Sequence, residues 1–170
     1  MALILTQEHI KCMQAHAEQA YPHEGCGLLV GIVDTATDEK TLVNLALLHN
    51  AWTPDVAIKL ASQENSAPLT KARRYWIDPK DLLETQRQAR ENGLNIIGVF
   101  HSHPDAEAVP SQCDLDLAWP DYAYIIVSVR RGQAVELKNW QLDINHQFQP
   151  EPLKIAPASA AKDRMPLLSS

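Results

Sequence analysis

The sequence predicts an α+β, or mixed α/β, fold, and three observations lead there. Segments with apolar residues at helical spacing alternate with short apolar runs of strand length. Their order is helix, strand, strand, helix, strand, helix, strand, strand. The strand runs are continuously apolar, which suggests a sheet covered on both faces by helices. A chain of 170 residues is one ordinary domain, with or without a tail. At that size it needs no disulfide or structural metal merely to fold. With 45% apolar and 21% charged residues it is not disordered along its length.

The first helix is expected from about Gln7 to Ala20, with Thr6 as N-cap, Glu8 in the first turn and Ile10, Met13 and Ala17 on one face. Pro22 closes it. Gly27 to Val33 reads as a buried strand, Asp34 to Lys40 as its turn and Thr41 to Leu48 as a second strand. Asn50 to Trp76 is the least regular stretch, either a long loop or a short helix around Val56–Gln63, and loops of that length are often functional. Asp78-Pro79 starts a second helix that runs to about Asn92, with Gly93 at its C-terminal end. Asn95 to His101 is a buried strand, Ser111 to Ala118 a short helix, Tyr122 to Val129 another strand, and Arg131-Gly132 turns into the last one through Val135, Leu137, Trp140 and Leu142. Residues 1–148 form the expected domain. Residues 149–170, with four prolines and no period, form an expected tail outside the core.

Composition narrows the function. The formal net charge is −6, and the basic residues cluster only at Lys71, Arg73 and Arg74 and at Arg130-Arg131. No basic face for phosphates is expected, so nucleic acid is disfavoured as a partner. No apolar run approaches the roughly 20 residues that span a bilayer. The N-terminal stretch has no basic segment and reaches Glu8 too soon for a signal peptide. The three cysteines, Cys12, Cys26 and Cys113, make no disulfide framework, and a cytoplasmic location is expected.

Chemistry concentrates at one place. His101-Ser102-His103 closes a buried strand, and alternate residues of an extended chain point to the same side. A loop bounded by Pro104 and Pro110 then brings back Ser111-Gln-Cys-Asp114, giving His-x-His-x7-Ser-x2-Asp. Two imidazoles and a carboxylate leave zinc's fourth position open, the layout of a catalytic site; iron and manganese also accept this donor set. Glu24 is the candidate proton acceptor. It precedes a strand in which Gly25, Gly27 and Gly31 imply tight backbone packing. Each element also has a structural reading. Ser111-x-x-Asp114 is a capping-box pattern, Cys26 and Cys113 suit small buried side chains, Tyr122, Tyr124 and Trp140 suit the core, and Lys71, Arg73 and Arg74 suit a solvated face.

The joint set of Glu24, His101, His103, Ser111 and Asp114 resembles the JAMM (MPN+) metalloprotease motif. The flanks Pro-His-Glu-Gly-Cys-Gly-Leu, Ile-Ile-Gly-Val-Phe-His-Ser-His-Pro and Pro-Ser-Gln-Cys-Asp resemble its small bacterial branch, and the likeness runs from about Leu3 to Phe148. The resemblance implies an MPN fold, similar to cytidine deaminase, with a central, mostly antiparallel sheet flanked by helices. It implies one catalytic Zn2+ held by His101, His103 and Asp114, with Glu24 as general base and Ser111 helping to stabilise the oxyanion. The insertion with a second zinc seen in eukaryotic deubiquitinating relatives is absent here, because Asp114 leads almost directly into Trp119-Pro120. The implied activity is therefore a peptidase or isopeptidase acting after the C-terminal Gly-Gly of a ubiquitin-like sulfur-carrier protein. The carrier's thin tail would lie as an added strand in a groove walled by Asn50–Trp76. A homodimer is expected from the resemblance alone.

Three other readings compete. A zinc nucleobase deaminase needs Cys-x-x-Cys, which this chain lacks. A RadC-like protein usually has Asn between the histidines, where this chain has Ser102, and a DNA-binding front domain. A non-catalytic MPN scaffold or dimerisation module typically lacks one or more of the ligands that are intact here.

Overall fold

A computed structural model describes residues 2–56 and 74–158 of the chain. Eleven elements are defined among them: β1 (Ala2–Thr6), α1 (Gln7–Ala20), β2 (Cys26–Asp34), β3 (Glu39–Leu48), α2 (Pro79–Glu91), β4 (Asn95–Pro104), α3 (Gln112–Asp116), β5 (Ala123–Arg130), β6 (Gln133–Leu142), β7 (Phe148–Pro150) and β8 (Leu153–Ala156). The strands make one eight-stranded sheet in the order β7-β6-β5-β4-β2-β3-β1-β8. The sheet is mixed. β2 runs antiparallel to β3 and β4, and β6 antiparallel to β5 and β7, whereas β1 is parallel to β3 and β8, and β4 is parallel to β5.

The helices begin where the sequence predicts. Thr6 caps α1, accepting from the His9 N–H at 3.3 Å while its own N–H donates to His9 Nδ1 at 3.1 Å. Met13 and Ala17 are buried in the larger core cluster with Leu3, Leu29, Phe100 and Ile125. Asp78 caps α2 by accepting from the Lys80 N–H at 2.8 Å, and Gly93 follows the helix at φ 69°. A Cβ at Gly27 would lie 2.4 Å from the Ala46 carbonyl oxygen, and one at Gly31 would lie 2.0 Å from that of Thr41. Glycine at both positions is what lets β3 lie against β2.

Two regions depart from the sequence reading. Ala2–Thr6 form a strand that runs without a turn into α1. Nor does the chain leave the core at Gln149, as the expected tail would. β7 pairs with β6 at one edge of the sheet and β8 pairs with β1 at the other, with only Glu151 and Pro152 between them. The sheet must therefore curl until its edges meet. Buried Glu151 fastens the closure, accepting from Lys40 Nζ of β3 at 3.2 Å and from Asn139 Nδ2 of β6 at 2.6 Å. A buried carboxylate with these partners is satisfied, and the polar, proline-containing composition of the segment hides its burial. The short helix considered around Val56–Gln63 lies almost wholly outside the described residues; positions 54–56 are helical.

Among the described residues, no helix is long and apolar enough to cross a membrane.

Candidate metal centre

β4 lies between β2 and β5, with Cys26 opposite His101 on one side and Ile126 and Ser128 opposite His101 and His103 on the other. That double pairing fixes the backbone, and the two-residue period turns both imidazoles to the same side. The Nε2 atoms of His101 and His103 are 3.1 Å apart. Asp114 completes a triangle: Oδ1 is 3.2 Å from His101 Nε2, and Oδ2 is 3.4 Å from His103 Nε2. All three side chains are buried or nearly so.

Ser102, between the histidines, does a different job. Its hydroxyl accepts from the Gly25 N–H at 2.7 Å, and its N–H donates to the Gly25 carbonyl at 2.9 Å. The end of β4 is thereby tied to the turn that carries Glu24. The loop after β4 is held as firmly: the Asp105 N–H donates to the Val129 carbonyl at 2.7 Å, and Trp140 Nε1 donates to Ala108 at 3.1 Å. Ser111 and Asp114 form the reciprocal cap of α3. The Ser111 hydroxyl accepts from the Asp114 N–H at 3.2 Å, and the Ser111 N–H donates to Asp114 Oδ2 at 2.7 Å. The capping-box reading of this pattern therefore holds, and the same cap keeps Asp114 beside the two imidazoles. The single Ser111 hydroxyl proton also goes to Asp114 Oδ2, at 2.8 Å.

The donor set fits a cation. His103 Nδ1 donates to the Glu107 carbonyl at 2.8 Å, which leaves Nε2 of the neutral ring as a bare lone pair facing His101 and Asp114. Ligand atoms around a tetrahedral zinc with bonds of about 2.0–2.1 Å lie roughly 3.3–3.4 Å apart, close to the separation of the two Nε2 atoms and to the distance from each of them to its nearer Asp114 oxygen. Among the described residues this is the one group of three such side chains that could hold a metal ion, and no cysteine belongs to it. Burial opposes charge on Asp114, but the two imidazoles and the Ser111 N–H outweigh it and hold the carboxyl far below the usual range. Burial likewise pushes the Cys26 thiol up to about 12, so it stays protonated at neutral pH.

Glu24 stands beside this triangle, 5% exposed, lining a small cavity with Arg74, Tyr75, Cys113, Asp114 and Leu117. Burial pushes its carboxyl up to about 7, against the pull of the two imidazoles. Among the described residues no hydrogen-bond donor engages that carboxylate. It is held through its backbone instead: Asn50 Nδ2 donates to the Glu24 carbonyl at 3.0 Å.

Four residues of this region were not legible as site residues. Asn50 also donates to the Arg74 carbonyl at 2.8 Å, and its Oδ1 accepts from the N–H groups of Trp52 and Trp76 at 3.0 and 3.1 Å. Tyr75 stacks on His101 with ring centroids 4.6 Å apart. Arg74, expected on a solvated face, borders the cavity; Lys71 and Arg73 lie outside the described residues. Ser102 carries no spacing signal of its own. Tyr75 also lines an apolar cavity of about 270 Å³, walled by Trp76, Leu82, Leu117, Trp119 and Tyr122 among others.

Comparison with known proteins places this geometry in a family. Over 158 residues the chain is 25% identical to the CysO-cysteine peptidase of Mycobacterium tuberculosis, covering 90% of each chain. Over 110 residues it is 31% identical to the desampylase of Haloferax volcanii, covering 63% of each. The crystal structure of a JAB1/MPN domain protein from Archaeoglobus fulgidus matches with a TM-score of 0.53 over 92% of this chain and 98% of the other, at 17% identity, a likeness of fold. The family model described as prokaryotic homologs of the JAB domain matches residues 6–143. The chain thus belongs to the prokaryotic JAB-domain family.

Proposed function

We propose that this chain is a zinc-dependent peptidase that hydrolyses the bond after the C-terminal Gly-Gly of a ubiquitin-like sulfur-carrier protein. The observation that carries the reading is the convergence of His101, His103 and Asp114 beside the buried carboxyl of Glu24. The names of two similar proteins, CysO-cysteine peptidase and desampylase, support a hydrolase that acts on a protein conjugate.

His101, His103 and Asp114 would hold the zinc ion. When bound there, zinc would supply Lewis acidity to polarise the scissile carbonyl and lower the pKa of water toward 7. Glu24 takes a proton from the attacking water and passes it to the amine as the carbon–nitrogen bond breaks. Burial raises the Glu24 carboxyl above the ordinary carboxylate range, which makes it a better proton acceptor than an exposed glutamate. Ser111 holds Asp114 through its hydroxyl proton; to serve the oxyanion, that hydroxyl rotates away from Oδ2 as charge develops on the substrate oxygen. The carrier's tail would lie beside the described ends of the expected groove wall, residues 50–56 and 74–76, where Tyr75 stacks on His101 and lines the apolar cavity with Trp76.

The test is a fusion in which a reporter follows Gly-Gly at the end of a carrier. Cleavage after the second glycine, lost with a chelator and restored by zinc, is the expected result. An intact fusion in the presence of stoichiometric zinc would overturn the reading.

A further inference from the structure

The apolar cavity of about 270 Å³ is joined to the metal centre by two side chains. Tyr75 stacks on His101 and lines this cavity, and both Tyr75 and Leu117 also line the small cavity that Glu24 borders. None of the described residues lining the larger cavity is charged. The Tyr124 hydroxyl in its wall is already engaged, accepting from the Trp119 N–H at 2.6 Å and donating to the Trp119 carbonyl at 3.3 Å. Trp119 is 55% exposed, so the wall is reached from solvent. An apolar hollow open to water gains most from an apolar occupant.

Unpaired backbone groups adjoin the cavity. The Arg74 carbonyl and the N–H and carbonyl of Trp76 are tied to Asn50 and Ala51. The backbone groups of Tyr75 and Ile77, which line the cavity with their side chains, make no hydrogen bond among the described residues. A peptide laid along this wall finds main-chain partners there.

Resting on the proposed function, we propose that this cavity takes a large apolar side chain of the carrier's tail, on the residue immediately before Gly-Gly. Direction follows from the base. The leaving amine collects its proton from Glu24, so the departing side of the bond lies at the small cavity. That cavity, about 10 Å³, has no room for a side chain. The acyl side runs away from Glu24, and neither Glu24 nor Arg74 lines the apolar cavity. Glycines carry no side chain, so the first carrier residue able to fill the cavity is the one before them. Two extended residues span about 7 Å. That reach suits a cavity that begins one aromatic side chain, Tyr75, away from a metal ligand. The glycines pass the metal, and the next side chain anchors the tail.

The experiment uses carrier fusions that differ only in the residue before Gly-Gly: Leu, Ala or Asp, with the same reporter after the scissile bond. For the wild-type chain, kcat/KM is expected to favour Leu over Ala by about 10–10²-fold, the worth of burying the extra methyl and methylene groups, with Asp below Ala. Leu82→Trp fills the cavity from α2, so the Leu/Ala ratio should fall toward one while the Ala carrier is still cleaved. Leu82→Ala enlarges the cavity and should move the preference from Leu toward Phe. A ratio measured on one preparation does not depend on the fraction folded. Binding gives a second readout: zinc-loaded Glu24→Gln protein should bind the Leu carrier more tightly than the Ala carrier in calorimetry. Equal cleavage of the Leu and Ala carriers by the wild type, or an unchanged ratio in Leu82→Trp, would overturn the assignment while leaving the peptidase reading intact. So would a Leu preference found only at the residue after the scissile bond, which would put the cavity on the leaving side. Cleavage of none of the fusions would overturn both.

Discussion

The end of β4 and the segments bordering residues 57–73 meet where Tyr75 stacks on His101 but are held in opposite ways. The first is fixed by repetition. Pairing with β2 and β5 sets every backbone position, and His101 and His103 fall on one side because strands alternate. The second has no repeating partner. Residues 50–53 and 74–77 are held together by the Asn50 side chain and by one Ala51 N–H to Trp76 carbonyl bond of 2.9 Å. The lesson is that chemistry set by backbone period is written in spacing, whereas chemistry set by a single polar side chain is not. The two regions should therefore also fail differently when mutated.

The largest effect is expected on the strand side. Replacing His101 and His103 together by Ala should remove zinc and reduce turnover to background. Elemental analysis and the Gly-Gly fusion assay on the same preparation measure both. The fold should survive, because its core clusters do not depend on a metal. A cooperative thermal transition in the double variant checks that, and full zinc content in it would remove the histidines from the centre.

The next effect belongs to the residue that joins the two regions. Glu24→Gln should retain zinc and lower kcat by at least ~10²-fold, the low end for losing a general acid–base group. A change confined to KM would make Glu24 a binding residue instead. In chelated, metal-free protein the same variant has a second signature. The folded chain keeps the Glu24 proton up to about pH 7, against an ordinary value of 4.5. It therefore binds more protons than the unfolded chain across that window, and stability falls as pH rises through it. Glutamine has no such dependence. Denaturant titrations should find Glu24→Gln more stable than wild type at pH 8, by about 3 kcal/mol, and no more stable at pH 4.

The same contrast explains what was legible. The helix caps at Thr6 and Asp78 could be read because each acts within three residues of itself. The triangle of His101, His103 and Asp114 could be read because one strand and one cap carry it. β1 was missed because Ala2–Thr6 passes straight into α1, and Thr6 ends one element while capping the next. The closure at Glu151 was missed because its partners, Lys40 and Asn139, are about a hundred residues away and a dozen residues away on strands at opposite sides of the sheet. Nothing local marks an acid and a lysine as buried. Asn50 and Arg74 were missed for the same reason: their partners are backbone atoms and an indole brought near only by the fold.

A smaller effect is expected from Asn50→Ala. The substitution leaves the Glu24 and Arg74 carbonyls and the Trp52 and Trp76 N–H groups without their amide partner. Buried groups left unsatisfied cost about 1–3 kcal/mol, which for a domain of this size lowers Tm by roughly 2–4 °C per kcal/mol. Zinc content should hold, because no metal-site side chain depends on Asn50, while kcat/KM falls as the base and the cation lose their common anchor. Loss of zinc in Asn50→Ala would show that the two regions are not separable.

The smallest effect is expected from Cys26→Ala/Cys113→Ala. A thiolate close to an imidazole pair is a natural zinc ligand, so the cysteines are the residues most able to blur the distinction between the two regions. Geometry and protonation both argue against them. The cluster of His101, His103 and Asp114 contains no sulfur. Cys26 is buried, with its thiol pushed up to about 12. Cys113 borders the cavity, but burial also raises its thiol, and the nearby Asp114, Asp116 and Glu24 carboxylates add to that rise while Arg74 opposes it. A thiolate at the open position would also displace the water that hydrolysis consumes. The double variant should keep one zinc per chain and a kcat/KM within about threefold of wild type, with a modest loss of stability from the space left at buried Cys26. Zinc lost from this variant in native buffer would make a sulfur the fourth ligand and the centre a closed, structural one.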